Sequence, residues 1–227
     1  MSKILDKIPG LFKTIKSENT NNIKKNRCIK MTVIPEFNST ISYTYSISEK
    51  IDGSCRLLYN NKVWKRRDIK KNSKTGRFKT PPSTWEEFSE NHYSVDHRIG
   101  FIPIDINNKE DKWDKTAIDY LDNTIIIHTK TDTGFITNSI SILELPQMVT
   151  MEFIGPKVQG NPYNLEKHGY YIHGSYIISD LIINVDDPQE SLDNIKKYII
   201  KKNINSFFEG IVIKDNKKYY KFHKNYI

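Results

Sequence analysis

Regular alternation of apolar and polar side chains first appears at Thr40 to Ser48, where Ile41, Tyr43, Tyr45 and Ile47 interleave with Ser42, Thr44, Ser46 and Ser48. Period two with β-branched and aromatic residues predicts a half-buried strand. Cys55 to Tyr59 and Lys62 to Arg66 flank Asn60-Asn61, a pair that suits the tight turn of a hairpin. Further strands are expected at 125–127, 140–145, 149–153 and 170–178, with a short helix over 84–89 and a Gly/Pro/Asn loop over 155–163. The clearest helical period runs from Pro188 to Lys201, where Leu192, Ile195 and Ile199 share one face. Asp187 stands at its cap, Pro188 at the first helical position and Glu190 three residues after the cap. A terminal β-hairpin is expected from strands at 207–214 and 218–223 around a turn at 215–217. Glu209 and Lys221 share a face of it only if the loop has three residues, because a two-residue loop reverses the parity. No internal repeat is visible. The pattern is that of a mixed α+β fold with antiparallel pairing, preceded by a polar, basic arm over 1–30, with one domain over 31–227.

Composition narrows the class. A chain of 227 residues can bury a core, and 11% aromatic content argues against global disorder. No stretch approaches the ~18 to 20 apolar residues of a membrane helix, and the first residues lack the apolar centre of a secretory signal. Cys28 and Cys55 fit neither a disulfide framework nor a zinc site, so a reducing compartment, cytoplasmic or nuclear, is expected. The net charge of +8 makes a polyanionic partner reasonable, although A/T-rich coding would also raise Lys, Asn and Ile. Lys62 to Lys79, with Trp64 and Phe78 interleaved, reads either as a surface facing nucleic acid or as a solvated loop. His92, His97, His128 and His168 lack metal-ligand spacing.

Lys50-Ile51-Asp52-Gly53 follows the first clear strand. A lysine is a covalent nucleophile only as the neutral amine, and a nearby glycine permits the tight turn that would present it at a strand end. Alone, such a four-residue pattern arises by chance in roughly one chain in twenty. Downstream stand Glu152 in Met151-Glu152-Phe153-Ile154-Gly155, Glu209 in Phe208-Glu209-Gly210-Ile211-Val212-Ile213-Lys214, and Lys221 in Tyr220-Lys221-Phe222-His223. In this order the set resembles motifs I, III, IV and V of the covalent nucleotidyltransferases, the superfamily of polynucleotide ligases and mRNA capping enzymes. Gly160-Asn161-Pro162-Tyr163, Trp64-Lys65-Arg66-Arg67-Asp68, Trp113, His173-Gly174, Lys221 to His223 and Lys7-Ile8-Pro9 narrow the resemblance to the family of the small vertebrate 5′–3′ RNA ligase, over most of the chain.

The resemblance implies a ligase-adenylation (ATP-grasp-like) domain of antiparallel sheets flanked by helices. It also implies an ATP-dependent enzyme with Lys50 as the catalytic nucleophile. Lys214 and Lys221 would face phosphates, and Glu209 would hold Mg²⁺, with Mn²⁺ as the alternative ion. Glu152 would accept from the ribose hydroxyls, and Arg66, or Arg67 at the neighbouring register, would contact ribose or phosphate. His223 stands where the superfamily usually has a second lysine, so it would face the phosphate. His173 stands where an adenine-stacking aromatic is usual, as a stacking ring or as an ordinary strand histidine. Asn161-Pro162-Tyr163 would position substrate or shape a turn. The partner implied is RNA with a 5′-phosphate and a 3′-hydroxyl, engaged by a monomer away from membranes. The chain stops six residues after Lys221, leaving no room within it for the C-terminal OB domain of DNA ligases and capping enzymes. A DNA-nick ligase, a GTP-using capping-type enzyme and a non-catalytic nucleic-acid-binding module are the rival readings.

Overall fold

In a computed structural model, residues 8–16, 31–88, 97–203, 208–216 and 218–227 are described. The chain divides into two compact units, one containing Ile51–Tyr176 and the other joining Ile8–Lys50 to Ile177–Ile227. Of the basic arm expected over 1–30, only 8–16 falls within the described residues; Lys7, Asn19 to Asn22 and Cys28 lie outside them, as do Ser89 and His92.

The Ile51–Tyr176 unit is built on an eight-stranded sheet. Its main path runs Gly134–Ser141, Thr124–Thr131, Gly169–Ile172, Met148–Ile154, Ser54–Tyr59, Lys62–Arg66 and Phe101–Pro103, with Ile118–Asp119 paired to Thr124–Thr131. Neighbours on this path are antiparallel except Thr124–Thr131 with Gly169–Ile172. The Asn60-Asn61 hairpin forms as expected, both residues at positive φ (48° and 60°). One core gathers Leu58, Val63, Ile125, Val149, Met151, Phe153 and Tyr170; a second gathers Ile51, Ile154, Leu165 and Tyr171. Leucine- and isoleucine-sized side chains buried in this way each contribute about 1.5–3 kcal/mol.

Several local expectations give way here. Residues 84–88 are not helical: Glu86 bridges to Phe101, and Phe88 packs edge-on against Tyr59, Trp64 and Phe101. Tertiary packing of those rings overrides the local pattern. Trp64 is itself buried in that cluster, so it is a core residue and not a stacking platform on the basic stretch. The strand expected at 140–145 ends at Ser141, whose hydroxyl accepts from the Leu143 amide and caps a 3₁₀ turn over Ile142–Glu144. The strand expected over 170–178 is the shorter Gly169–Ile172, and Gly174 (φ 72°) turns the chain just after it.

The second unit has a three-stranded antiparallel sheet, ordered Lys218–His223, Gly210–Asp215, Tyr45–Lys50. Residues 40–44 stand outside the strand expected there, because the buried Asp215 carboxylate accepts from the Ser42 amide (3.2 Å) and hydroxyl and turns the chain. Phe12–Lys16 pairs with Met31–Phe37. The helix spans Pro188–Asn203 with Leu192, Ile195 and Ile199 buried, and the Glu190 amide donates to Asp187 Oδ1 (2.9 Å). The Glu190 carboxylate reaches Asn184 (2.6 Å), so the capping box is satisfied on one side only.

The fold is thus α+β, mostly sheet, but not sheets flanked by helices: Pro188–Asn203 is the one α-helix among the described residues. In the larger unit the sheet's core is completed instead by a segment carrying two 3₁₀ turns, Lys109–Asp111 and Asp114–Thr116. That segment is anchored by Asp114, which is buried with Arg56 in a two-bonded pair (2.8 and 2.9 Å) and accepts from Tyr170 (3.2 Å).

Candidate functional site

The candidate residues fall into two sets, one in each unit. In the three-stranded sheet, register places Lys50 opposite Gly210 and Gly210 opposite His223. The next same-face row is Ser48, Val212 and Lys221, and the one beyond it is Ser46, Lys214 and Tyr219. Same-face residues recur about 6.7 Å apart along a strand. Lys50, Lys221, His223 and Lys214 therefore share one face, with Lys214 about 13 Å along the strands from the Lys50 row.

Glu209 joins this face by an unexpected route. Asp215 pairs with Lys218, so the hairpin loop has two residues and not the three expected. Regular alternation from Gly210 would then turn Glu209 away from Lys221. Gly210 breaks the alternation: its φ is 154°, and a Cβ there would lie 2.1 Å from the Phe222 carbonyl oxygen. Only glycine fits that conformation and that gap. The Glu209 carboxylate consequently reaches Lys50 Nζ at 2.5 Å and His223 Nε2 at 3.1 Å. The Lys224 amide holds the Glu209 carbonyl at 2.9 Å.

All three side chains are partly shielded, with 25% of Lys50, 15% of Glu209 and 24% of His223 accessible. Burial pushes the Glu209 carboxyl up, but the hydrogen bond from His223 and the contact and charge of Lys50 outweigh it, leaving it below the ordinary glutamate range. Glu209 Oε2 is buried, and the Lys50 amine lies beside it as its ion-pair partner. Lys221 is fixed from behind, its amide donating to the Pro9 carbonyl (2.9 Å) and its carbonyl accepting from Leu11 (2.8 Å). Pro9 and Leu11 thus brace Lys221, a role their sequence does not announce.

The second set lies on the eight-stranded sheet. Glu152 is opposite Cys55 on one side and Tyr171 on the other. Burial, reinforced by the Glu152 charge, pushes the Cys55 thiol up to about 12 against the opposing pull of Arg66 and Arg56, so it is a neutral spacer between Glu152 and Arg66 at physiological pH. Arg66 also donates to Asp68 (2.9 Å), whereas the Arg67 side chain is exposed; of the two registers, Arg66 is the one beside Glu152's strand neighbour. His173 lies past its strand end and donates from Nε2 to Glu152 Oε2 (2.9 Å). Its ring thus orients a carboxylate here.

Three details clarify the motifs. Gly53 is demanded by proximity: a Cβ there would lie 2.5 Å from the Phe153 carbonyl and 2.7 Å from Glu152 Cγ. The Asp52 amide donates to the Tyr163 hydroxyl (2.6 Å), and the Asn161 side chain, at φ 54°, clasps both the amide and the carbonyl of Leu165. Asn161-Pro162-Tyr163 therefore shapes a turn and pins the start of the Asp52-Gly53 segment. In the basic stretch, Lys65 is committed to Asp111, while Lys62, Lys70, Lys74, Arg77 and Lys79 are exposed and Lys71 sits over Phe78 (5.2 Å).

A lysine held against a carboxylate, backed by cations on one sheet face, suits chemistry on phosphates. Among the described residues no group of three or more His, Cys, Asp or Glu side chains forms a metal cage, and no helix is long and apolar enough to cross a membrane. The RNA ligase 1 family model matches residues 84–227. A Pongo abelii protein described as RNA ligase 1 is 23% identical over 228 residues, covering 80% of this chain and 70% of its own. The Rattus norvegicus RNA ligase 1 is 25% identical over 169 residues (58% and 51%), and the Mus musculus RNA ligase 1 is 24% identical over 182 residues (61% and 55%). The chain thus spans between 51% and 70% of the length of these relatives.

Proposed function

The chain belongs to the RNA ligase 1 family, and from that premise we propose that it is an ATP-dependent 5′–3′ RNA ligase working through a lysyl-nucleotide. The observation that carries the reading is the row Lys50–Gly210–His223, with Glu209 turned onto it and Lys221 in the next row. The Lys50 amine, having lost a proton, attacks the α-phosphorus of ATP; an N–P bond forms, the bond to the bridging oxygen breaks and pyrophosphate leaves. An oxygen of an RNA 5′-phosphate then displaces Lys50, taking up AMP as a 5′–5′ pyrophosphate. A 3′-hydroxyl oxygen finally attacks the activated 5′-phosphorus, losing its proton and expelling AMP.

In the ligand-free arrangement the Glu209 carboxylate holds the Lys50 amine at 2.5 Å, so entry of the nucleotide must separate the two for attack. Lys221 and Lys214 supply positive charge along the same face for the phosphates, where a fixed cation stabilises the crowded transition state. Glu209 fits the part of a magnesium holder: Mg²⁺ takes few carboxylates, several waters and substrate phosphates, and Oε2 is a buried carboxylate oxygen that a cation, the Lys50 amine, already faces. Mn²⁺ suits the same oxygen. When bound, such an ion supplies charge neutralisation at the phosphates. Glu152 accepts from the ribose hydroxyls in this reading, with His173 orienting it and Arg66 adding a donor.

The test is incubation with labelled ATP or GTP and Mg²⁺, followed by denaturing electrophoresis and by assay of a 5′-phosphorylated RNA. Label from ATP that survives denaturation, disappears in Lys50→Ala and is followed by sealed RNA is the expected result. Label from GTP alone makes it a capping-type enzyme, sealing of nicked DNA alone a DNA ligase, and equal labelling of Lys50→Ala removes the nucleophile.

A further inference from the structure

The Ile51–Tyr176 segment carries 17 cations against 16 acids, so it is close to neutral, yet the charges are not mixed evenly. Ile69 to Trp85 holds five of the cations, Lys70, Lys71, Lys74, Arg77 and Lys79, and no acid, while the rest has 12 cations against 16 acids. A coding bias toward lysine would raise the count everywhere and would not sort it in this way. The basic residues also sit on a built hairpin. The Lys79 amide donates to the Lys70 carbonyl (3.1 Å), Lys71 bridges to Phe78, and the Asn72 amide donates to the Arg77 carbonyl (2.8 Å). The tip is closed by the Asn72 side-chain oxygen, which accepts from the Lys74 amide (2.8 Å), and by Gly76 at φ 66°. The base is fixed by Ile69, buried and paired with Arg98. Trp85 fastens it further: its ring N–H donates to the Arg67 carbonyl (2.7 Å), and it lies against Gly100, where a Cβ would come within 2.2 Å of the indole.

Alternation sorts the side chains of this hairpin. Lys71 and Phe78 stand on one face, the amine 5.2 Å from the ring centroid. Lys70, Arg77 and Lys79 stand on the other face, all exposed, with Lys70 directly opposite Lys79. Like charges directly opposite on an antiparallel pair are destabilising. No ion pair among the described residues engages Lys70, Arg77 or Lys79. An acid at either position would serve the fold better, so what these cations serve lies outside it. Successive rows on one face are about 6.7 Å apart, which puts the three cations within reach of phosphates on neighbouring nucleotides. The same face bears no aromatic ring on which a base could stack. Resting on the ligase reading for the identity of the polyanion, we propose that Lys70, Arg77 and Lys79 grip the ribose-phosphate backbone of the RNA substrate, by charge and without reading its bases.

The test is fluorescence anisotropy of a labelled RNA with a 5′-hydroxyl and a blocked 3′ end, which cannot react, between 50 and 200 mM salt. Each phosphate contact adds about 0.7 to the slope of log affinity against log salt for a single strand. Lys70→Ser/Arg77→Ser/Lys79→Ser should therefore lower the slope by about 2, so that over this fourfold range the wild-type chain loses roughly 16-fold more affinity than the variant. Lys70→Arg/Lys79→Arg should keep the wild-type slope. Two RNAs of unrelated sequence should bind alike, and a preference of about tenfold, the worth of a base-specific contact, overturns the proposal. Urea unfolding reads a merely structural role: with the cross-strand repulsion gone, the triple variant should unfold at the same urea concentration or a higher one. A lower midpoint, an unchanged salt slope, or binding to phosphatidylserine vesicles in place of RNA overturns the proposal. Wild-type chain that takes no label from ATP but keeps the hairpin-dependent slope sinks the ligase reading and leaves the hairpin; labelling without hairpin-dependent binding does the reverse.

Discussion

Glu209 and Glu152 each take a hydrogen bond from a histidine, yet the two carboxylates are held by different means. Glu209 sits where a strand has been bent out of regularity, by a glycine at φ 154° and by the amide of Lys224. Glu152 sits in the middle of an ordinary strand, and what backs it, on the other face of the sheet, is a side-chain framework: Arg56, opposite its neighbour Met151, buried and clamped by Asp114 and Tyr170. One region relies on backbone conformation that a single methyl group would destroy. The other relies on buried charge that a single missing partner would leave uncompensated.

The largest effect should come from the side-chain framework. Asp114→Ala leaves the Arg56 guanidinium buried without its carboxylate, and removing one member of a buried ion pair costs about 3–5 kcal/mol. Denaturant unfolding checks it. A loss below 1 kcal/mol would mean that water reaches Arg56 and that the framework is not what holds this region. Next comes the backbone. Gly210→Ala should cost about 1–3 kcal/mol through strain in a conformation that only glycine adopts readily. Because the added Cβ collides with the Phe222 carbonyl beside Glu209, nucleotide transfer should fall further than stability does. Equal losses in both would erase the contrast between the two carboxylates.

The smallest effect sharpens the contrast through pH. Glu209 lies below the ordinary glutamate value in the folded chain. Its contribution is therefore fully present above the unfolded value of about 4.3 and is lost as pH falls through the lower folded value. The stability difference between the wild-type chain and Glu209→Gln should be on the order of 1 kcal/mol at pH 6 and shrink toward pH 3. A difference that grows on acidification would show that the carboxyl is not stabilised in its charged form.

Legibility in the sequence followed the range of the forces involved. Asn60-Asn61 and the Asp187-Pro188 helix start were readable because the turn and the cap are satisfied within a few residues. Residues 84–88 were misread as helix because their rings belong to a cluster with Tyr59, Trp64 and Phe101, which no local window contains. Trp64 misled for the same reason: surrounded in sequence by lysines, it points into the core while they do not. In the candidate site, Lys50, Glu209 and His223 could be named from motif order, and the structure brings them together. What could not be read was how. The three-residue loop was inferred from parity, and parity fails at Gly210, where a glycine in an apolar run gave no sign that it would reverse a side chain's direction. The brace of Pro9 and Leu11 on Lys221 was equally silent, since backbone pairing leaves little trace in side-chain identity.

The sheet that carries Lys50 joins strands very distant in sequence: Lys50 pairs with Gly210, 160 residues later (210 − 50). During synthesis the Tyr45–Lys50 strand therefore emerges long before the Gly210–Asp215 strand that pairs with it or the carboxylate that will face its lysine. Pairing of such high sequence separation forms late and slowly. A nascent or prematurely terminated chain would carry Lys50 without Glu209, His223 or Lys221, so on the proposed ligase reading translation itself times when the lysine first meets the carboxylate and cations that face it.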